Sequence, residues 1–220
     1  MSDLKQYRLR ARFARKGEAA RLSQLEQIRL LRAAVSSCGL PCAMSGGKKR
    51  LPRMAFGPAI SVGYESEAEY ADICLCAPVP EREAFAKLSA ACGGGFSALG
   101  VKRIPLHFPS LESLLNVAEY EVSGDFGPEP DASLERFLAR PEIPVVKQKH
   151  EGPQERIDAR PLIMEMKHDS GRLRLMLRFS PGRNLKPELI LRAWLDREIS
   201  GFAVTRKQLY WETPGGLSAP

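Results

Sequence analysis

The order of elements readable in this sequence predicts an α+β protein with antiparallel sheets. Three observations carry that expectation. Tyr7–Ala14 alternates strictly, with Tyr7, Leu9, Ala11 and Phe13 on one side and Arg8, Arg10 and Arg12 on the other, the period of a half-buried strand. Ser23-Gln24-Leu25-Glu26 is a capping-box pattern, and it opens a helix whose Leu25, Ile28, Leu31, Val35 and Cys38 recur at helical spacing. In the second half, Leu162–Lys167 and Arg172–Phe179 flank His168-Asp169-Ser170-Gly171, whose Asp and Gly suit a hairpin turn.

Taken in order, Arg15-Lys16-Gly17 turns the chain after the first strand, and Gly39 followed by Leu40-Pro41 ends the first helix. Arg29 and Arg32 lie along the edge of the apolar stripe, where their stems can cover apolar surface while their heads reach solvent or a ligand. A polar loop, Ser45–Arg53, leads into Met54-Ala55-Phe56. A strand over Glu69–Cys76, a helix over Glu81–Cys92 closed by Gly93-Gly94-Gly95, and a strand over Ala98–Ile104 follow. Strand, helix, strand, strand, helix, strand is the split β-α-β arrangement called ferredoxin-like. The second half has a similar outline: a strand at Val117–Ser123, a helix at Ala132–Ala139, a strand at Ile143–Lys149, the hairpin, a helix from Pro187 to Leu195, and a last strand at Phe202–Trp211. The expectation is two tandem ferredoxin-like units, residues 1–108 and 109–220, joined at Pro105–Leu111.

The composition is that of a globular protein, with 44% hydrophobic and 27% charged residues. No apolar run approaches the ~20 residues of a membrane helix, and the first residues show no secretory pattern. Five cysteines at irregular spacing fit a reducing compartment. A cytoplasmic protein is expected. The net charge is +7, and it is unevenly placed. Residues 1–53 hold thirteen Lys/Arg against three Asp/Glu, whereas the rest of the chain is slightly acidic. A basic surface at the N-terminal quarter follows, with an anionic partner as its natural complement.

Convergent catalytic groups are hard to find. The three histidines, His107, His150 and His168, have no partner at ligand spacing. Cys74 and Cys76 point to one face of a strand and Cys38 and Cys42 straddle a helix end; either pair could approach a soft metal, but free cysteines more often serve as small buried hydrophobes. Gly46-Gly47-Lys48-Lys49-Arg50 lacks the frame of a phosphate loop, although Lys48, Lys49, Arg50 and Arg53 remain suited to phosphate contact. Arg8, Arg10 and Arg12 could instead pair across strands with Glu67, Glu69 and Asp72. Nothing nearby in sequence offsets Lys48–Arg53. Aromatics near the basic segment are few (Tyr7, Phe13, Phe56), so backbone contact is better supported than base stacking.

Several stretches resemble the radical-SAM-linked proteins, a family found beside, or fused to, radical-SAM proteins. The resemblance rests on Tyr7-Arg8-Leu9-Arg10, on Arg21–Glu26, on Gly39-Leu40-Pro41, on the run from Pro52 to Tyr70, on Pro109–Tyr120 and, more faintly, on Asp158–Ile163. Family members tend to show Ser-His-Leu-Asp where this chain has Ser23-Gln24-Leu25-Glu26, and Asn-Pro-His-Pro where it has Lys48-Lys49-Arg50-Leu51-Pro52. Both histidines are missing, so any metal or proton-transfer role they have in relatives is absent here. The resemblance implies a radical-SAM protein as partner. Some relatives are joined to ribonuclease E/G-type sequences, which implies RNA.

The leading expectation is a non-catalytic accessory protein with no cofactor, binding RNA through Arg8, Arg10, Arg12, Arg29, Arg32, Lys48, Lys49, Arg50 and Arg53. Two alternatives stay open. The basic surface could dock an acidic face of a radical-SAM partner without nucleic acid, or the chain could itself process or modify RNA.

Overall fold

The computed structural model describes residues 6–46, 49–147, 154–180 and 184–220. The chain divides into two compact units, the first running to Leu115 and the second covering Asn116–Ala219. Both are mixed α+β with antiparallel strand pairing inside each unit. Among the described residues, no helix is long and apolar enough to cross a membrane.

The first unit contains β1 (Tyr7–Arg15), α1 (Gln24–Ser37), β2 (Met54–Phe56), β3 (Glu65–Leu75), α2 (Glu81–Ala91), β4 (Phe96–Ile104) and a four-residue turn of helix, α3 (Leu111–Leu114). β1 lies between β4 and β3, β2 adds to β3, and every one of these pairings is antiparallel. Alternation sets the two faces. Leu9, Ala11 and Phe13 of β1 and Ala71, Ile73 and Leu75 of β3 form one buried face, against which α1 sets Leu31, Val35 and Cys38 and α2 sets Ala84 and Leu88.

Helix α1 begins where the sequence places it. Ser23 accepts from the Glu26 amide at 3.3 Å, and the Glu26 carboxylate accepts from the Ser23 amide at 2.8 Å. Its buried stripe differs from expectation by one position. Leu25 is exposed, and Gln27 is buried together with Leu31 and Val35. The reason is a polar relay beneath the first turn. Buried Arg15 donates to Gln27 Oε1 at 2.8 Å, and Gln27 Nε2 donates to the Glu69 carboxylate. Arg15 therefore belongs to β1 and its core side, not to a turn.

The second unit contains β5 (Val117–Ser123), α4 (Pro130–Leu138), β6 (Pro144–Lys147), β7 (Glu155–Asp158), β8 (Ile163–Asp169), β9 (Arg172–Arg178), α5 (Pro187–Leu195), β10 (Ala203–Thr213) and β11 (Gly216–Ser218). Its sheet runs β10-β5-β9-β8, with β11 on β10; β6 and β7 form a separate antiparallel pair. Ala118, Tyr120 and Val122 stand opposite Leu177, Leu175 and Leu173, and all six are buried. The other face carries Glu119, Glu121, Arg172 and Arg174. The β8–β9 turn is tighter than four residues: Ser170 and Gly171 alone adopt positive φ, of 50° and 75°, the two-residue hairpin geometry. His168 accordingly lies within β8 and outside the turn.

Candidate functional site

Of the nine basic residues expected at a binding surface, the eight that are described do not share one surface. Arg10 sits directly opposite Asp72 in the β1–β3 ladder, with Nε and Nη2 on the two carboxylate oxygens at 2.7 and 2.9 Å; both side chains are almost fully buried. Arg8 approaches the same carboxylate at 3.7 Å and donates to the carbonyls of Leu106 and Phe108. Arg12 donates to the Glu67 carbonyl at 2.6 Å and lies over the Tyr70 ring. The segment after β4 therefore folds back across the arginine face of β1, with the Phe108 ring 5.6 Å from the Arg10 guanidinium carbon. Glu69 takes no part in this, because residues 69 and 72 lie on opposite faces of a strand.

Arg32, Lys49, Arg50 and Arg53 lie elsewhere, at the edge of the sheet where β2 meets α1. Residues 42–45 and 51–54 form the two arms of a ribbon pinned to β3. Ala43 donates to the Cys74 carbonyl, Cys74 to the Arg53 carbonyl, and Arg53 back to the Ala43 carbonyl, each at 2.8–3.0 Å. Met44 and Pro52 bridge, and Ser45 donates to the Leu51 carbonyl at 2.7 Å. The two arms, residues 42–45 and 51–54, are thus fixed by backbone bonds, and Lys49 and Arg50 lead into the second arm at the ribbon's tip. Lys48 lies outside the described residues. Lys49, Arg50 and Arg53 are exposed, and none has an ion-pair partner among the described residues. Arg29 is exposed on α1, one turn after Glu26.

Beside the ribbon is a cleft of about 360 Å³. Leu51, Pro52, Met54 and Ala55 give it apolar walls, and Arg32, Ser45 and Arg53 supply its polar groups. Arg32 reaches it from α1 with its guanidinium over the Phe56 ring, 5.6 Å from the centroid. Its Nε–H is buried and has no acceptor among the described residues. The cleft residues other than the arginines were not singled out as a group by spacing. The available signal was the alternation of Met54 and Phe56, which turns both toward α1.

The remaining chemistry is sparse. Burial, reinforced by Cys38, Cys76 and Cys74, pushes the Cys42 thiol up to about 11, so it carries little thiolate at neutral pH. Among the described residues, no group of three or more His, Cys, Asp and Glu is placed to hold a metal ion. His150 lies outside the described residues. His168 is hydrogen-bonded through Nδ1 to Asp131 at 2.9 Å and packs edge-on to Phe126. In the second unit the charged sheet face is self-compensating: Arg174 bonds Glu119 at 2.7 Å and Glu165 at 3.4 Å, and Arg172 bonds Glu121 at 3.1 Å.

A protein-family model described as an uncharacterised protein conserved in bacteria, DUF2344, matches residues 8–187. The chain belongs to the DUF2344 family. In this DUF2344 protein the matched stretch includes the whole ribbon and the Arg32 cleft, and it ends at the first residue of α5. No curated protein matches it. Among solved structures it is similar to one titled as an unknown protein from Galdieria sulphuraria, at 12% identity over 98% of this chain and 100% of that one, with a TM-score of 0.27.

Proposed function

We propose that this DUF2344 protein is a non-catalytic accessory protein that grips RNA through the ribbon tip and the Arg32 cleft, serving a radical-SAM enzyme in the cytoplasm. The observation that carries the RNA reading is the placement of charge. Lys49, Arg50 and Arg53 stand exposed, without carboxylate partners among the described residues, on a ribbon whose base is held by backbone bonds. Exposed, unpaired cations suit phosphate contact, and backbone bonds in the arms that carry them reduce the main-chain ordering left to do on binding. Arg8, Arg10 and Arg12 leave the binding set, since their guanidinium groups are engaged inside the first unit. The radical-SAM partnership rests on the family resemblance of the sequence. The cytoplasmic placement rests on the five free thiols.

The ferredoxin-like reading belongs to the same proposal, since that fold is compatible with RNA binding without establishing it. The β-α-β-β-α-β order and the strand order β4-β1-β3-β2 support it for the first unit. In the second unit the order β10-β5-β9-β8 is equivalent once the β6–β7 pair is set aside as an insertion between α4 and β8.

The test is binding of single-stranded RNA across a salt series, with the triple variant Lys49→Ala, Arg50→Ala, Arg53→Ala alongside. Backbone contact predicts affinity that falls steeply with salt and drops in the variant. Absence of binding at low salt would overturn the RNA reading. One observation favours a second reading: Met44 and Leu51 on the same ribbon are 42% and 40% exposed, a mixture of apolar and basic groups suited to an acidic protein surface. Co-purification of a radical-SAM protein without nucleic acid, lost in the same variant, would select it.

A further inference from the structure

Resting on the reading of the ribbon as an RNA grip, we infer that the grip holds phosphates and reads no bases, so that its preferred ligand is double-stranded RNA of any sequence. The ribbon's own residues say what it can offer a base. Residues 42–56 include one aromatic side chain, Phe56, and no Asn, Gln, Asp, Glu or His. Those are the groups that stack on unpaired bases or, alongside arginine, recognise base edges. The one hydroxyl, on Ser45, accepts from the Leu51 amide at 3.2 Å. What remains is cationic: Lys49, Arg50 and Arg53 are exposed, and Arg32 is half-buried beside them.

The aromatic side chains that sequence places near the basic segment are already engaged inside the first unit. Phe56 packs against the hydrophobic core, and the Arg32 guanidinium lies over its ring, 5.6 Å from the centroid. Tyr7 is held in the same way, against the core and under Arg103 at 5.9 Å. Phe13 is fully buried. Phe85 is exposed, but it belongs to α2, which packs on β4 at the opposite edge of the sheet from β2. Binders of single strands that accept any sequence add stacking on aromatic rings to their charge. Here charge acts alone, and charge favours the duplex, whose phosphates are denser and whose base edges are turned inward. Each phosphate contact releases about 0.9 counter-ions from a duplex, the B-form DNA value carried over to RNA, against about 0.7 from a single strand. For four contacts, from Arg32, Lys49, Arg50 and Arg53, that difference makes the duplex about tenfold tighter at 50 mM salt and about fourfold tighter at 200 mM.

The experiment uses the full chain and fluorescence anisotropy at both salt concentrations. Its probes are labelled RNAs of roughly a dozen nucleotides, within usual single-strand site sizes: a strand of uridine alone, an unstructured strand of mixed bases, and a blunt duplex of the same length. The two single strands should bind within about twofold of each other, since no ring ranks their bases. The duplex should bind more tightly by the factors given above, with the preference shrinking as salt rises. The triple variant Lys49→Ala, Arg50→Ala, Arg53→Ala, left with one contact, should weaken every probe and cut the duplex preference to about twofold at 50 mM salt. A single strand bound as tightly as the duplex, or a mixed strand bound well above the uridine strand, would overturn the inference and leave the RNA grip standing. So would a triple variant that kept the full duplex preference, because the preference would then arise outside the ribbon. Failure of all probes to bind at 50 mM salt would overturn both readings. The comparison of probes on the unaltered protein does not depend on how the variant folds.

Discussion

At the scale of single residues, the same side-chain type does opposite work at two places in the first unit. Arg10 and Asp72 are buried and bonded to each other at 2.7 and 2.9 Å, so each protects the other from an uncompensated charge. Asp72→Asn should cost about 3–5 kcal/mol, because it leaves Arg10 buried without its counter-ion. The paired replacement Arg10→Met with Asp72→Leu should recover most of that loss, since well-packed apolar groups replace a buried ion pair at little cost. Urea denaturation checks both, and a cheap Asp72→Asn would mean the pair is hydrated in solution. Arg50→Ala, on the exposed tip, should stay within about 0.5 kcal/mol of wild type. Alternation already separates the two sets in the sequence, offering Asp72 with Glu67 and Glu69 as cross-strand partners for Arg8, Arg10 and Arg12, but it does not show what lies over a strand face. The cover here is the segment after β4, about a hundred residues away in the chain from Arg8, and it supplies the Phe108 carbonyl and ring.

At the scale of elements, local signals were legible where the physics is local. The capping box at Ser23 and Glu26 names the start of α1, and both reciprocal bonds are present. Hydrogen bonds from Ser23 hold the Glu26 carboxyl below its ordinary pKa. The folded state therefore takes up that proton less readily than the unfolded chain. The contribution is present above the ordinary carboxylate pKa and is lost as pH falls through the depressed value. Ser23→Ala should destabilise the protein by about 1 kcal/mol near neutral pH, and the gap between variant and wild type should narrow in acid. Thermal unfolding of both proteins at pH 7 and near pH 3 checks the sign; a gap that widened in acid would contradict the assignment. Helix α5, Pro187–Leu195, was equally legible from its proline. The interior of α1 was less so. A helical stripe drawn through apolar residues includes Leu25 and passes over Gln27, because pattern matching cannot foresee that Arg15 and Glu69 need a neutral amide between them. The cleft was hidden for a related reason: Arg32, Ser45, Met54 and Phe56 converge only after the ribbon is pinned to β3.

At the scale of the whole molecule, the net charge of +7 is concentrated in one unit. Residues 1–115 hold seventeen Lys/Arg against ten Asp/Glu, and residues 116–220 hold sixteen of each. If binding followed total charge, removing any exposed cation would weaken it alike. If it follows local contacts, only the ribbon and cleft matter. Counter-ion release separates the two, since each phosphate contact on a single strand adds about 0.7 to the salt slope. Four contacts, from Arg32, Lys49, Arg50 and Arg53, give a slope of about −3 and a loss of roughly 50-fold between 50 and 200 mM salt. The triple ribbon variant should bring the slope to about −1. Arg172→Ala removes one charge from the second unit, as Arg50→Ala does from the ribbon, but there Glu121 already compensates it at 3.1 Å. It should leave the slope unchanged. A similar shallowing from Arg172→Ala would show that the charged sheet face of the second unit, and not the ribbon alone, meets the ligand.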